Sequence, residues 1–178
     1  MNRAVFLDRD GVLNRAVLRG GKPYPPVSLD ELEILPGVLE ALAELKQRGF
    51  LLLVVTNQPD VARGRQTREG VETLHRTLAQ ALPVDGFFAC YHDDGDGCTC
   101  RKPLPGLLLE AASLHEIDLA RSFLVGDRWR DMDAGSSAGC TTLLVDYGYQ
   151  ERGPAQEPRA RVKSLREAAD WILRQDSR

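Results

Sequence analysis

Residues 6–14 read FLDRDGVLN. The apolar run Ala4-Val5-Phe6-Leu7 ends in two aspartates one residue apart, Asp8 and Asp10, and Gly11 follows at once. An apolar run bounded this sharply predicts a buried strand. Carboxylates crowded at the end of such a strand repel each other and are costly to desolvate. Two acids in that place call for a counter-charge.

Four further apolar segments read as strands: Leu51–Thr56, Gly86–Tyr91, Ser122–Gly126 and Thr141–Asp146. Most are continuous rather than alternating, as strands covered on both faces should be. Helical patterns lie between them. Residues 37–48 carry Val38, Leu42 and Leu45 on one stripe and stop at Gly49. Thr67 can cap a helix with the stripe Val71, Leu74, Leu78. Leu107, Ala111 and Leu114 mark a third helix, and residues 130–138 a short fourth ended by Gly139. The tail SLREAADWIL (164–173) opens with Ser164 and Glu167 spaced as a capping box, and its stripe is Leu165, Ala168, Ile172. Strands alternating with helices predict an α/β fold with a doubly wound parallel sheet, in strand order 3-2-1-4-5. The polar stretch YGYQERGPAQEPRAR (147–161) reads as a loop, as does the segment holding GGKPYPP (20–26). The latter is a stiff loop rather than a folded cap, so no large cap domain is expected.

The chain has 178 residues, which suggests one domain spanning 1–178. Its 43% hydrophobic and 28% charged residues are ordinary for a globular protein. A net charge of −3 leaves no basic footprint, so nucleic acid is not the expected partner. The N-terminus lacks the pattern of a signal peptide, and no stretch is long enough to span a bilayer. The expectation is a cytoplasmic monomer with no membrane partner.

In a doubly wound sheet, ligands bind beyond the carboxyl ends of the strands. Polar residues collect there: Asp8 and Asp10 after the first strand, Thr56 and Asn57 after the second, Asp127 and Asp131 after the fourth. Lys102 lies in the loop after the third. The predicted strand order makes the first and fourth strands neighbours, so their aspartates meet. Converging carboxylates suit a hard divalent cation, best Mg²⁺, which also binds phosphate oxygens. Lys102 and the Thr56 hydroxyl suit the remaining oxygens. One aspartate can attack phosphorus, and the other can move a proton to and from the leaving oxygen. A lone D-x-D after a strand is usually just a turn. The full set, each member after its own strand, is far more specific.

DRDG (8–11), TNQ (56–58), RKP (101–103) and GDRWRD (126–131) resemble the four motifs of the haloacid dehalogenase (HAD) superfamily of phosphatases, over about residues 3–147. The resemblance implies a three-layer HAD-like fold. It implies Asp8 as the nucleophile and Asp10 as general acid/base, with the Asp10 carbonyl on Mg²⁺. Thr56 and Lys102 would hold phosphate, Asp127 would ligate Mg²⁺, and Asp131 would support the metal or its waters.

Residues 90–103 read CYHDDGDGCTCRKP. Cys90, His92, Cys98 and Cys100 form a Cys₃His set suited to structural Zn²⁺. Residues two apart in extended chain point the same way, and the DDGDG turn lets two such pairs close on one ion. With four protein ligands there is no open position for catalysis. A zinc loop over 90–100 would instead rigidify the segment presenting Lys102.

C-x-H…C-x-C before R-K-P resembles the branch that holds heptose-bisphosphate and histidinol-phosphate phosphatases. FLDRDGVLN and TNQPDVARG are more similar to the heptose members. The implied reaction is removal of the 7-phosphate from D-glycero-D-manno-heptose 1,7-bisphosphate, a precursor step toward lipopolysaccharide or other heptose glycans. The alternatives are a histidinol-phosphate phosphatase, favoured by the short zinc loop, and a non-catalytic zinc-stabilised binding module. Arg128 stands where the branch commonly has Lys, which keeps the charge but changes the geometry. Asn57, Arg101 and Arg128 are candidate substrate-binding residues. Asn57 and Gln58 either bind sugar hydroxyls or hold their loop. Arg63 and Trp129 read as surface and packing residues, Cys140 as buried, and His75 and His115 as without a role.

Overall fold

The computed structural model describes residues 1–176. Its centre is a six-stranded parallel sheet: β1 (Ala4–Leu7), β4 (Leu51–Asn57), β5 (Gly86–Cys90), β6 (Phe123–Gly126), β7 (Thr141–Val145) and β8 (Ala160–Val162), ordered β5-β4-β1-β6-β7-β8. The five strands expected from sequence keep the expected order. The sixth corrects the reading of 147–161 as loop throughout, since Ala160 and Arg161 begin a short edge strand paired with β7. The 15–30 segment is also more than a loop. It folds into a hairpin of β2 (Val17–Arg19) and β3 (Lys22–Tyr24), turned at Gly20-Gly21.

Both faces of the sheet are covered. Val5 and Leu7 point to one side, against α1 (Val38–Gln47) and α5 (Leu165–Asp176), in a core with Leu42, Leu45, Phe50 and Ile172. Ala4 and Phe6 point to the other, against α3 (Gly106–His115) and α4 (Trp129–Ala138), with Leu108, Ala111 and Leu124. All four residues of β1 are fully buried, which is why that run could not alternate. α2 (Arg68–Ala81) starts where Thr67 Oγ1 accepts the Gly70 N–H at 3.0 Å. The expected stripe of α3 shifts: Leu107, Leu108 and Ala111 are buried, while Leu114 is 69% exposed. At α5, Ser164 Oγ accepts the Glu167 N–H, but Glu167 returns its bond to Lys163 N–H, one residue early for a capping box. Among the described residues, no helix is long and apolar enough to cross a membrane.

Candidate active site

Parallel strands put every carboxyl end on one edge, and the site is built there. Asp8 follows β1, its N–H donating to Val125 O at 2.9 Å, so β1 and β6 stay paired up to the functional residue. After Asp10 the chain turns tightly, with Gly11 N–H bonded to Asn14 O at 2.8 Å. Gly11 has φ +87°, and a Cβ there would overlap the Asp127 carboxylate. Only glycine lets the first acidic loop lie against the second.

Asp8, Asp127 and Asp131 present carboxylate oxygens within 4.8 Å of one another. Lys102 reaches in from the loop after β5 and is 2% exposed. Its Nζ donates to Asp8 Oδ1 (2.9 Å), Asp131 Oδ1 (2.5 Å) and Val55 O (2.7 Å). Asp131 Oδ2 meanwhile accepts the Arg128 N–H at 3.0 Å, capping the first turn of α4. Burial, then the neighbouring Asp131, raises the Asp8 pKa to about 6 although Lys102 opposes it. Burial, then Asp8 and Asp131, pushes the Asp127 carboxyl well above the ordinary range. Burial disfavours the Lys102 ammonium, but Asp131 and Asp8 outweigh it and raise that pKa. One ammonium faces three carboxylates, and Asp127 Oδ1 is buried with no hydrogen-bond partner. The cluster therefore fits an added hard cation held by oxygen ligands.

Asp10 lines the same cavity, of about 300 Å³, together with Tyr24, Asn57, Arg63, Arg101, Arg128 and Arg130. Thr56 is buried beside it, its Oγ1 accepting from Gln58 Nε2 at 2.9 Å. Asn57 faces the cavity, but both ends of its amide are spent on Lys102, accepting its N–H and donating to its carbonyl at 3.0 Å each. Of the two roles left open for Asn57, this geometry is the one that holds the loop rather than a sugar hydroxyl. Arg101 Nε donates to Asp94 at 2.8 Å, Arg130 pairs with the same carboxylate at 3.1 Å, and Arg128 pairs with Glu151. Arg63, read from sequence as a surface charge, lines the cavity and donates to both Asp93 oxygens at 2.7 and 2.6 Å. Trp129 packs against Arg130 and Arg152, whose guanidinium carbons lie 4.8 and 3.5 Å from its ring centroid. Arg130 and Tyr24 were not singled out from sequence. Arg130 sits inside the quoted GDRWRD motif and was legible in principle.

Cys90, His92, Cys98 and Cys100 come together at the end of β5, with His92 Nδ1 3.5 Å from Cys90 Sγ and 3.3 Å from Cys100 Sγ. No cysteine is disulfide-bonded. Three sulfurs and one ring nitrogen within 4.8 Å match the donor set of a tetrahedral metal. Cys140 is buried, as expected.

A parallel sheet with an acid pair after its first strand, a lysine after its third and further acids after its fourth defines the HAD type of hydrolase. A family model described as HAD-hydrolase-like matches residues 99–168. The chain is 36% identical over 179 residues to the D-glycero-beta-D-manno-heptose-1,7-bisphosphate 7-phosphatase of Helicobacter pylori, covering 96% of this chain and 97% of that protein. It is 38% identical over 183 residues to the enzyme of that name from Escherichia coli K12, covering 96% and 87%. The crystal structure of D,D-heptose 1,7-bisphosphate phosphatase from Bordetella bronchiseptica, complexed with magnesium and phosphate, superposes with a TM-score of 0.83 at 34% identity, covering 97% of this chain and 99% of that one. The chain belongs to this family of HAD phosphatases.

Proposed function

We propose that the chain removes the 7-phosphate of D-glycero-β-D-manno-heptose 1,7-bisphosphate. The carrying observation is Lys102 shared between Asp8 and Asp131 beside an unpartnered Asp127 oxygen. The similarity to relatives so named, along nearly the whole chain, supports the substrate. Four arginines at the cavity suit a ligand with two phosphates.

Asp8 attacks phosphorus, forming an aspartyl phosphate as the bond to the sugar oxygen breaks. Asp10 gives that oxygen its proton. Asp10 then takes a proton from water, whose oxygen attacks the same phosphorus and releases Asp8 and inorganic phosphate. Lys102 and the Thr56 hydroxyl hold phosphoryl oxygens. Asp8, the Asp10 carbonyl and Asp127 would hold Mg²⁺, with Asp131 supporting it. When bound, the ion neutralises charge on the transferring group. Cys90, His92, Cys98 and Cys100 would hold Zn²⁺ and stiffen the loop that delivers Lys102. Thiols free of disulfides fit a cytoplasmic setting. The chain would work there as a single monomeric domain, in the supply of heptose for surface glycans.

The test is phosphate release with Mg²⁺ from both anomers of heptose 1,7-bisphosphate and from histidinol phosphate. The β anomer should give the highest kcat/KM, by about tenfold or more. Preference for histidinol phosphate would overturn the substrate, and release from none of them would overturn the activity. The zinc role has its own check. Cys98→Ser should lower bound zinc, by metal analysis, and activity together. Full activity in zinc-free protein would sink it.

A further inference from the structure

His75 sits on α2, and no step above uses it. It is nonetheless built in. The residue is 7% exposed and its ring stacks on Phe87, centroids 4.6 Å apart at 18°. Nε2 lies 3.1 Å from Arg9 Nη1, which can only donate, so Nε2 accepts and the ring proton sits on Nδ1. Burial, then the Arg9 charge, lowers the imidazole pKa to about 3, so the ring is neutral.

Arg9 has no exposed surface. Its Nε and Nη2 donate to Oδ1 and Oδ2 of Asp10, both at 3.1 Å. Asn14 Nδ2 and Gln58 Nε2 complete the ring of donors around that carboxylate, at 3.0 Å each. The guanidinium is thus held at two ends, by Asp10 on one edge and by His75 at Nη1. Without His75, Nη1 is left buried and lacks this acceptor. A guanidinium that turns to find another acceptor breaks the two-point grip on Asp10.

We propose that His75 is a positioning residue, which acts through Arg9 to fix the side chain of Asp10 where its carboxyl, once protonated, gives that proton to the leaving oxygen. This rests on the assignment of Asp10 as the acid. The alkoxide leaving from a sugar phosphate needs that proton, whereas p-nitrophenolate is stable enough to leave without it. A misplaced acid therefore slows the first ester and spares the second. A general structural defect slows both.

The experiment compares kcat/KM of the Mg²⁺-loaded enzyme on heptose 1,7-bisphosphate and on p-nitrophenyl phosphate. His75→Phe keeps the stack on Phe87 and removes the acceptor. It should lose about tenfold on the sugar ester and less than about twofold on the aryl ester, a fraction of what a whole general acid contributes. His75→Gln, whose carbonyl can accept from Arg9, should recover most of the loss. If His75→Phe does not fold, His75→Leu carries the test. Equal losses on both esters, or no recovery with Gln, would overturn the proposal. Asp10→Asn separates the two levels. If it discriminates between the esters and the His75 variants do not, only the proposal falls. If it does not discriminate, the role of Asp10 falls and the proposal with it.

Discussion

Asp8→Asn should reduce turnover by at least about 10⁴-fold, the scale of removing a covalent nucleophile. An amide oxygen is a poor nucleophile, and no other carboxylate can replace it. Asp131 is bound to Lys102 and to the start of α4, and Asp127 is packed against Gly11. The same variant should melt no lower than the parent. It removes one of three buried carboxylates that face one ammonium. The sign follows from the raised Asp8 pKa of about 6. The folded state binds the proton more tightly than the unfolded one, so ionising Asp8 costs stability as pH rises from about 4 through 6. Asparagine is spared that cost, and its advantage should be larger at pH 8 than at pH 5. Measurable turnover in protein free of deamidated contaminant would refute attack by Asp8.

Lys102→Met should impair the protein twice. Losing a preorganised charge at the transferring group costs about 10²–10³-fold in kcat. Leaving buried carboxylates without their cation costs about 3–5 kcal/mol, the scale for breaking a buried pair. Protonation offers an escape. Removing Lys102 takes away the group that holds the Asp8 pKa down, so that pKa climbs above about 6. The melting temperature should therefore fall steeply at pH 8 and less at pH 5, where Asp8 carries its proton. Thermal melts at the two pH values decide it. A loss independent of pH would mean that Lys102 acts by filling space.

The parts of the fold that were legible are those with strong local signals. The five central strands each carry a continuous apolar run, and Thr67 caps α2 as its spacing implies. β8 was missed because it has only three residues, one of them the exposed Arg161, at a sheet edge after a Pro-containing stretch. Its pairing with β7 stabilises it, and pairing has no local signature. The hairpin of β2 and β3 had a signal, Gly20-Gly21 between extended residues, that was outweighed by three prolines. The acids and Lys102 were readable because chemistry restricts which residues follow each strand. His75 was not. Its partner Arg9 lies 66 residues away, and a histidine on a buried helix face has no sequence mark that tells packing from a hydrogen bond. Asn57 likewise meets Lys102 across 45 residues.

The acids of the cluster stand in place through sheet register. Leu7 lies opposite Val54 on one side and Val125 on the other. Those pairings bring Asp8 level with Gly126, one residue before Asp127, and the pairing of Asn57 with Cys90 ties the lysine loop to the same frame. A slip of one residue moves a strand by about 3.3 Å and turns every side chain to the other face. No half-assembled site follows from such an error, because the displaced acid points into a helix layer instead of the cavity. Turnover is then a census of correctly registered molecules. A preparation in which some chains have mispaired loses kcat in proportion, while the KM of the remainder stays the same.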